Sequence, residues 1–582
     1  MSKRSYIISL ICILSCAVLL IDSRSAYAPY LIATVYALYC LYRNLTNGYG
    51  NTGKGRIAVL VVSFISSVFI TLANYGIWLH PLLPDERTPM FVRIYKALLI
   101  LVIMSGTFFS VFHILIHTVK DTKAFALCKS TEDRKHTYRW FVIPFAVLLC
   151  IYLAIYFSCY YPGLLSPDSL DQVGQLLSGN YSNHQPFYHT MLIGLFLRPG
   201  FALSHSMNTA VAFYVIFQVV FMAATFAFAV YNMAELNAPV PALVITTAWF
   251  ALMPYHIMYS FTVWKDVYFG AFSALLVIFL IRIDKGIGKE AVNTVGFAVC
   301  SVIICLIRSN GLFAYVFVFA SVILLMRKHK KLIITMAVTI VATFILKHSV
   351  LTALNVTQPD TVESLSIPLQ QVARVVADDG IMTDEDRGLL SKIIDISTIA
   401  DIYNPDISDP VKNAIRDYGN QDYLTANLVA FGGLYFRTLL NNPMTYVCAW
   451  VDSTCGYWNG GYDYWVWYWD VESNPYGITR VIGNENVLHF MDEYLWLFYN
   501  NRILRIFTAT GLFVWILLLM LAKNIAASDK TGIVSTVPVL AILLSLVISS
   551  PVYAEFRYLY PLFTSLPVII AVTCRDREGE RE

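Results

Sequence analysis

The sequence predicts an all-α polytopic membrane protein. Hydrophobic residues fill 57% of the 582 positions and charged residues only 14%, and the mean hydropathy is +0.61, far more apolar than a soluble chain of this length. Apolar runs recur at about the 20 residues that an α-helix needs to cross a bilayer. Basic residues gather in the short loops between those runs, where they set membrane orientation. The net charge of +3 is too small to point to nucleic acid, and no glycine-rich loop of the kind that grips nucleotide phosphates is present.

Taken in order, the apolar runs are 6–22, 27–43, 57–79, 94–118, 140–160, 209–231, 241–260, 267–283, 291–307, 311–326, 332–349, 503–522, 533–550 and 557–573, or about fourteen crossings. The first follows "MSKR" like a cleavable signal, but the second begins almost at once, which favours a retained signal-anchor. "YRNLTNGYGNTGKGR", "KDTKAFALCKSTEDRKHTYR", "RIDKGIGK", "RKHKK" and "RDRE" are the basic loops and are expected in the cytoplasm. Residues 187–206, "FYHTMLIGLFLRPGFALSHS", are apolar enough to span, yet a full crossing would flip "RIDKGIGK" and "RKHKK" outward. Arg198-Pro199-Gly200 is expected to break a helix there, so 187–206 reads as a re-entrant or interfacial element. Irregular backbone at membrane depth is tolerated only where it is buried in protein or lines a wet cavity. The chain therefore divides into N-terminal helices (1–139), a transmembrane module with a first outer loop at 161–186 (140–349), a mainly helical extracytoplasmic domain (350–502), and C-terminal helices with a short cytoplasmic tail (503–582).

With this orientation, five polar outcrops share the outer face. They are 161–186 with Asp168, Asp171 and His184; "YSFTVWKD" with Lys265 and Asp266; "IRSNG" with Arg308 and Asn310; the segment 350–502; and "SPVYAEFRYLYP" with Glu555 and Arg557. A single charge at a helix end can be a snorkelling anchor; five outcrops on one side are better read as a site. Within 350–502, Pro368 is expected to open a helix and "TDED" at 383–386 to begin the next with acids suited to a helix N-terminus. Half of the sixteen residues from Cys455 to Asp470 are aromatic. Such a run suits a membrane-interface belt, and equally a platform for a sugar or amphiphilic acceptor. Most cysteines lie inside apolar runs as small buried hydrophobes; Cys448 and Cys455 are the pair open to bridging, subject to geometry.

The first outer loop reads Pro-Gly, Ser-Pro-Asp-Ser, a Gln-rich amphipathic turn, then Asn-His and a Pro before an aromatic, directly after a spanning helix. With "WKD" at 264–266, "IRSNG" at 307–311, "SIPLQQVAR" at 366–374 and "EFRYLYP" at 555–561, this order resembles the GT-C superfamily of membrane glycosyltransferases, and within it a group of bacterial multi-spanning proteins. Protein O-mannosyltransferases and lipid A aminoarabinose transferases belong to the same superfamily. The resemblance covers roughly 140–573. One departure stands out: the resembled pattern has His next to Pro, whereas Gln185 separates His184 from Pro186.

The resemblance implies an enzyme of the bacterial cytoplasmic membrane. It would take a sugar from a polyprenyl-phosphate carrier and pass it, on the extracytoplasmic face, to a cell-envelope glycan, lipid or protein acceptor. Such a transfer needs a carboxylate for the acceptor proton, cations for the departing phosphate and an apolar groove for the tail. Asp168 matches the first-loop acid and is the candidate base for an inverting reaction, with Asp171 second. Arg308 and Arg557 are candidates for the phosphate, since a guanidinium fork matches its oxygens; Lys265 shares that charge. Asp266 orients the acceptor, tunes Asp168 or joins it around a divalent ion. His184, Asn310, Arg374, Glu555 and Tyr558 complete the substrate-binding candidates. Some relatives use a metal and some do not; no His/Cys ligand cluster is present here, so no metal ligand is assigned. A transporter or flippase of a lipid-linked sugar would use the same cavity without making a bond, but transporters often show duplicated halves, and none is evident.

Overall fold

The computed structural model describes residues 53–73, Tyr75, scattered positions between 94 and 109, and 137–574 apart from 460–463, 502 and 551. The expected crossings at 6–22 and 27–43, and the signal-anchor they define, lie outside the described residues, as does much of 94–118. The described chain is helical, with isolated β-bridges but no named strand. Seven helices are long and apolar enough to cross a membrane, or eight if the pair Val240–Leu252 and Pro254–Ser260, bent by 58°, is one span. This is a helical integral membrane protein. Fewer than fourteen spans are seen partly because Ile57–Ala73, Gly311–Leu325 and Thr510–Ala526 are apolar but shorter. The last of these begins late because 504–508 forms a 3-10 turn.

The elements that place the site are α1 (Arg139–Ile155), continued by a π-turn to Tyr160; α2 (Pro167–Ser178); α3 (Phe187–Ser204); α4 (Met207–Glu235); α5 (Lys265–Lys285); α6 (Glu290–Ile307); α7 (Gly311–Leu325); α8 (Lys530–Ser549); and α9 (Tyr560–Cys574). Helix α4 packs between α1 and α3, and α5 packs against α6 and α9. The α5–α9 contact is close: a Cβ on Gly270 would lie 2.4 Å from the Tyr560 ring, and Thr564 Oγ1 donates to Gly270 O at 2.8 Å. Small residues let membrane helices approach in this way. The approach brings the start of α5 beside the turn that precedes α9.

Helix α3 corrects one expectation. It runs unbroken through Pro199, so no break occurs at 198–200. Pro144, Pro538 and Pro567 also sit inside apolar helices, since neighbouring helices and local adjustments re-satisfy the freed backbone in such settings. The chain on either side of α3 bonds to the 350–502 segment: Asn183 N donates to Thr357 O at 2.7 Å and Asn208 Nδ2 to Thr479 O at 2.9 Å. Helix α3 is not among the helices long and apolar enough to cross.

Residues 362–446 bury a hydrophobic core of their own around Val372, Leu390, Ile415 and Leu434. A helix spans Ser366–Ala377, with Pro368 in its first turn. The next, Asp384–Leu390, is capped by Thr383 Oγ1, which accepts from Asp386 N at 3.1 Å. No disulfide joins Cys448 to Cys455. Seven residues along a helix and its continuing 3-10 turn separate their backbones by about 10 Å, beyond what a disulfide spans. The aromatic run turns inward: Trp458 and Trp467 are fully buried.

Candidate functional site

The site begins with the backbone of 161–165, which is pinned on two sides. Leu164 N donates to Phe261 O and Val263 N to Leu164 O, both at 2.9 Å; Glu472 N donates to Leu165 O at 2.9 Å and Val481 N to Tyr161 O at 2.7 Å. Gly163 makes the turn possible, with φ of +133° and Val215 and Phe261 O where a side chain would stand. Ser166 then precedes α2, whose first turn holds Pro167 and Asp168, a position where an acid faces the positive end of the helix dipole. Ser166 Oγ accepts from Trp264 Nε1 at 2.8 Å. The Asp168 turn and the Lys265-Asp266 start of α5 are thereby held side by side.

Around this junction, charges from four parts of the chain meet. Arg557 Nη1 donates to Asp168 Oδ2 at 2.9 Å, and Arg557 Nε lies 3.2 Å from Glu555 Oε1. Arg308 pairs with Asp266, whose side chain is fully buried. Lys265 Nζ donates to Gln185 Oε1 and bears electrostatically on Asp168. The Tyr558 ring lies against both guanidiniums, 4.3 Å from that of Arg308 and 5.4 Å from that of Arg557, so two like charges share one π-system. Trp264 and Trp465 flank Arg557 at 5.1 and 5.9 Å, and Tyr468 packs on Trp264.

The two carboxylates beside Arg557 differ in character. Burial pushes the Asp168 carboxyl up, but Lys265 and Arg557 outweigh it and hold the group below its ordinary value. Its side chain is 35% exposed, and Arg557 takes Oδ2 alone. Glu555 is 3% exposed, and burial drives its carboxyl up to about 7, with Asp168 adding to the rise and Arg557 and Arg308 opposing it.

Asp168, Lys265, Asp266, Arg308, Glu555, Arg557 and Tyr558 are thus brought together. The other candidates are placed differently. Asp171 is exposed and accepts from Gln175 Nε2 at 2.8 Å, whereas Asp168 in the first turn of the same helix is bonded to Arg557. His184 is exposed; its neighbour Gln185, buried, supplies the contact to Lys265. That role was missed in the sequence, where the signal was the departure from the His-Pro pattern. Asn310 Nδ2 donates to Ser545 Oγ at 2.8 Å and ties α7 to α8. Arg374 belongs to a separate cluster with Asp452, Asp378 and Tyr75, so it does not join the charges around Asp168. Among the described residues, no three His, Cys, Asp or Glu side chains are grouped to hold a metal ion; Asp168 and Asp266 each face a guanidinium instead.

A helical membrane protein with an ion-paired cluster at one end of its bundle is the class these features define. The chain belongs to a family described as a "family of unknown function (DUF6020)", whose pattern matches residues 178–582. That match takes in Lys265, Asp266, Arg308, Glu555 and Arg557, while Asp168 lies just ahead of it. No curated protein and no solved structure matches the chain.

Proposed function

We propose that this protein is a glycosyltransferase of the GT-C type, moving a sugar from a polyprenyl-phosphate carrier to an envelope acceptor on the extracytoplasmic face of a bacterial cytoplasmic membrane. The observation that carries the reading is the bond from Arg557 to Asp168, which sets a half-exposed carboxylate beside Arg557, Arg308 and Lys265 at the mouth of the helix bundle. A carrier phosphate must sit at the boundary of the bilayer, because its tail stays in lipid. Arg557, Arg308 and Lys265 supply the positive charge that a leaving phosphate needs, in surroundings where water does not screen it.

In the transfer, Asp168 Oδ1 takes the acceptor hydroxyl proton as the acceptor oxygen bonds to the anomeric carbon. The bond from that carbon to the phosphate oxygen breaks, its electron pair leaves with polyprenyl phosphate, and the anomeric configuration inverts. Asp266 is buried beneath the site, so its part is to fix Arg308. Trp264 and Trp465 offer the flat apolar faces on which a sugar ring packs.

The test is product formation by purified wild type, Asp168→Asn and Asp171→Asn from a polyprenyl-phosphate sugar. General-base assistance is commonly worth about 10²–10⁴-fold, so Asp168→Asn should lose activity on that scale and Asp171→Asn should keep most of it. Loss in Asp171→Asn alone would move the base along the helix. Transport of the lipid-linked sugar across vesicles without bond formation would favour a flippase.

A further inference from the structure

Asp168 and Glu555 share one guanidinium. Asp168 holds Nη1 at 2.9 Å, while Glu555 Oε1 lies 3.2 Å from Nε. The second contact is not aligned as a hydrogen bond, so Glu555 Oε1 and Arg557 Nε are both buried without a hydrogen-bond partner. Glu555 is therefore enclosed and held to the cation by charge, without an aligned hydrogen bond.

The charges of the cluster sum to zero when every group is ionised. Lys265, Arg308 and Arg557 stand against Asp168, Asp266 and Glu555. An anion that enters adds a negative charge with no partner, in a low-dielectric place where such an excess is expensive. Of the three carboxylates, Asp266 is locked to Arg308 and Asp168 is hydrogen-bonded and open to water. Glu555 is the one that can be neutralised with least loss.

We propose that an anionic head group entering this cluster is accompanied by uptake of one proton from solvent at Glu555, so that the site takes a phosphodiester and a proton together. The inference rests on the phosphate-binding reading given above and adds a regulation to it. The proton adds to the Glu555 carboxylate, and Arg557 Nε, relieved of that carboxylate, is left to the phosphate. A carboxyl that burial already holds near neutrality needs little further push.

The groups that act on Glu555 come from every side: Asp168 from the first turn of α2, Arg308 from the α6–α7 turn, Arg557 and Tyr558 from its own turn, Tyr259 ahead of α5, and Tyr457 and Tyr464 from the aromatic run. Tyr457 Oη also accepts from Glu555 N at 3.2 Å. Lys265 stands beyond Asp168. Loss of its proton at high pH would weaken anion binding too, but would do so whether or not residue 555 can titrate.

The experiment uses the full chain in detergent and methyl farnesyl phosphate, a diester carrying one negative charge throughout the range. Affinity is measured calorimetrically at pH 6 and pH 8, in two buffers of different ionisation enthalpy so that protons are counted. Wild type should bind about tenfold more weakly at pH 8 than at pH 6, since each pH unit past a linked pKa is worth up to tenfold, and should take up close to one proton at pH 8. Glu555→Gln should lose both the uptake and most of the slope, and bind at pH 8 nearly as wild type does at pH 6. His184→Gln should keep the wild-type slope. Should Glu555→Gln fail to fold, Lys265→Arg decides the source of the proton: an arginine does not titrate in this range, so uptake that persists belongs to Glu555 and uptake that vanishes overturns the linkage. Binding by wild type without uptake, or an equal slope in Glu555→Gln, overturns the proton linkage and leaves the phosphate site standing. Failure of wild type to bind at either pH overturns both.

Discussion

Glu555→Gln should make the protein more stable at pH 8 than wild type, while changing it much less at pH 5. The folded carboxyl is raised to about 7, whereas in the unfolded chain it has its ordinary value near 4.3. Below about pH 4 the group is protonated in both states and contributes nothing. Between the two values the folded protein keeps a proton that the unfolded chain has lost, and stability falls as pH rises. Above 7 the group is ionised in both, and the folded state bears the whole cost of a buried charge, net of its attraction to Arg557 and Arg308. The rise from about 4.3 to about 7 corresponds to about 4 kcal/mol, over half of it developing between pH 5 and pH 8. Gln keeps the shape and removes the charge, so the gain over wild type should grow by about 2 kcal/mol across that interval. Asp168, held below its ordinary value, has the opposite dependence, lost only as pH falls below about 4, so it cancels between wild type and variant in this window. The assay is tryptophan-monitored unfolding of both proteins in one detergent at pH 5 and pH 8. An equal difference at both pH values, or a variant less stable at pH 8, would show that the tie to Arg557 outweighs burial and would refute the reasoning.

Asp266→Asn alone should destabilise by about 3–5 kcal/mol, because it leaves Arg308 buried without its carboxylate; Asp266→Asn with Arg308→Gln should cost less than the sum of the two, and strict additivity in unfolding measurements would deny the pair. Gln185→Leu, which strips Lys265 of its acceptor, should weaken binding of a phosphodiester probe about tenfold or more; unchanged affinity in Gln185→Leu would remove Lys265 from the site. Gly270→Val should destabilise by about 1–3 kcal/mol by forcing Tyr560 away from α5, visible as a lower melting temperature. A cysteine at 180 should react with an impermeant maleimide on whole cells and one at 289 only after permeabilisation; the reverse pattern would invert the orientation.

The helical fold and most of the cluster were legible because charged residues at the ends of apolar runs are few, and each is costly enough to need a reason. Lys265, Arg308, Glu555 and Arg557 stood out on that ground alone. What could not be read was which charge meets which. Arg374 looks like the other cations in sequence, yet it spends its guanidinium on Asp452 and Asp378, a pairing set by how two helices of the 350–502 segment pack. Asp171 has the same chemistry as Asp168 and lies on a neighbouring position of the same helix, yet it bonds Gln175 and faces solvent while Asp168 meets Arg557. Pro199 was read as a breaker by the rule for helices in water; where neighbouring helices pack alongside, α3 passes through it. Gln185 carried a signal that was noticed only as a departure, since an uncharged residue in a polar loop has nothing else to mark it.

The pairing of Arg557 with Asp168 also bears on the order of events in the proposed reaction. Against its burial, Lys265 and then Arg557 hold Asp168 below its usual range, which makes it a weak base. A phosphate that draws Arg557 to itself removes part of that restraint, and the affinity of Asp168 for a proton rises as the donor arrives, toward the range where proton transfer is efficient. Glu555, neutral under the same conditions, no longer competes for the guanidinium. Removing Glu555 as a competitor by Glu555→Gln should therefore strengthen donor binding at pH 8 without replacing Asp168 as the base, whereas Asp168→Asn should spare donor binding and abolish transfer. A protein in which both substitutions changed binding and transfer in parallel would have a single undivided carboxylate site, and the separate roles argued from the two contacts on Arg557 would not hold.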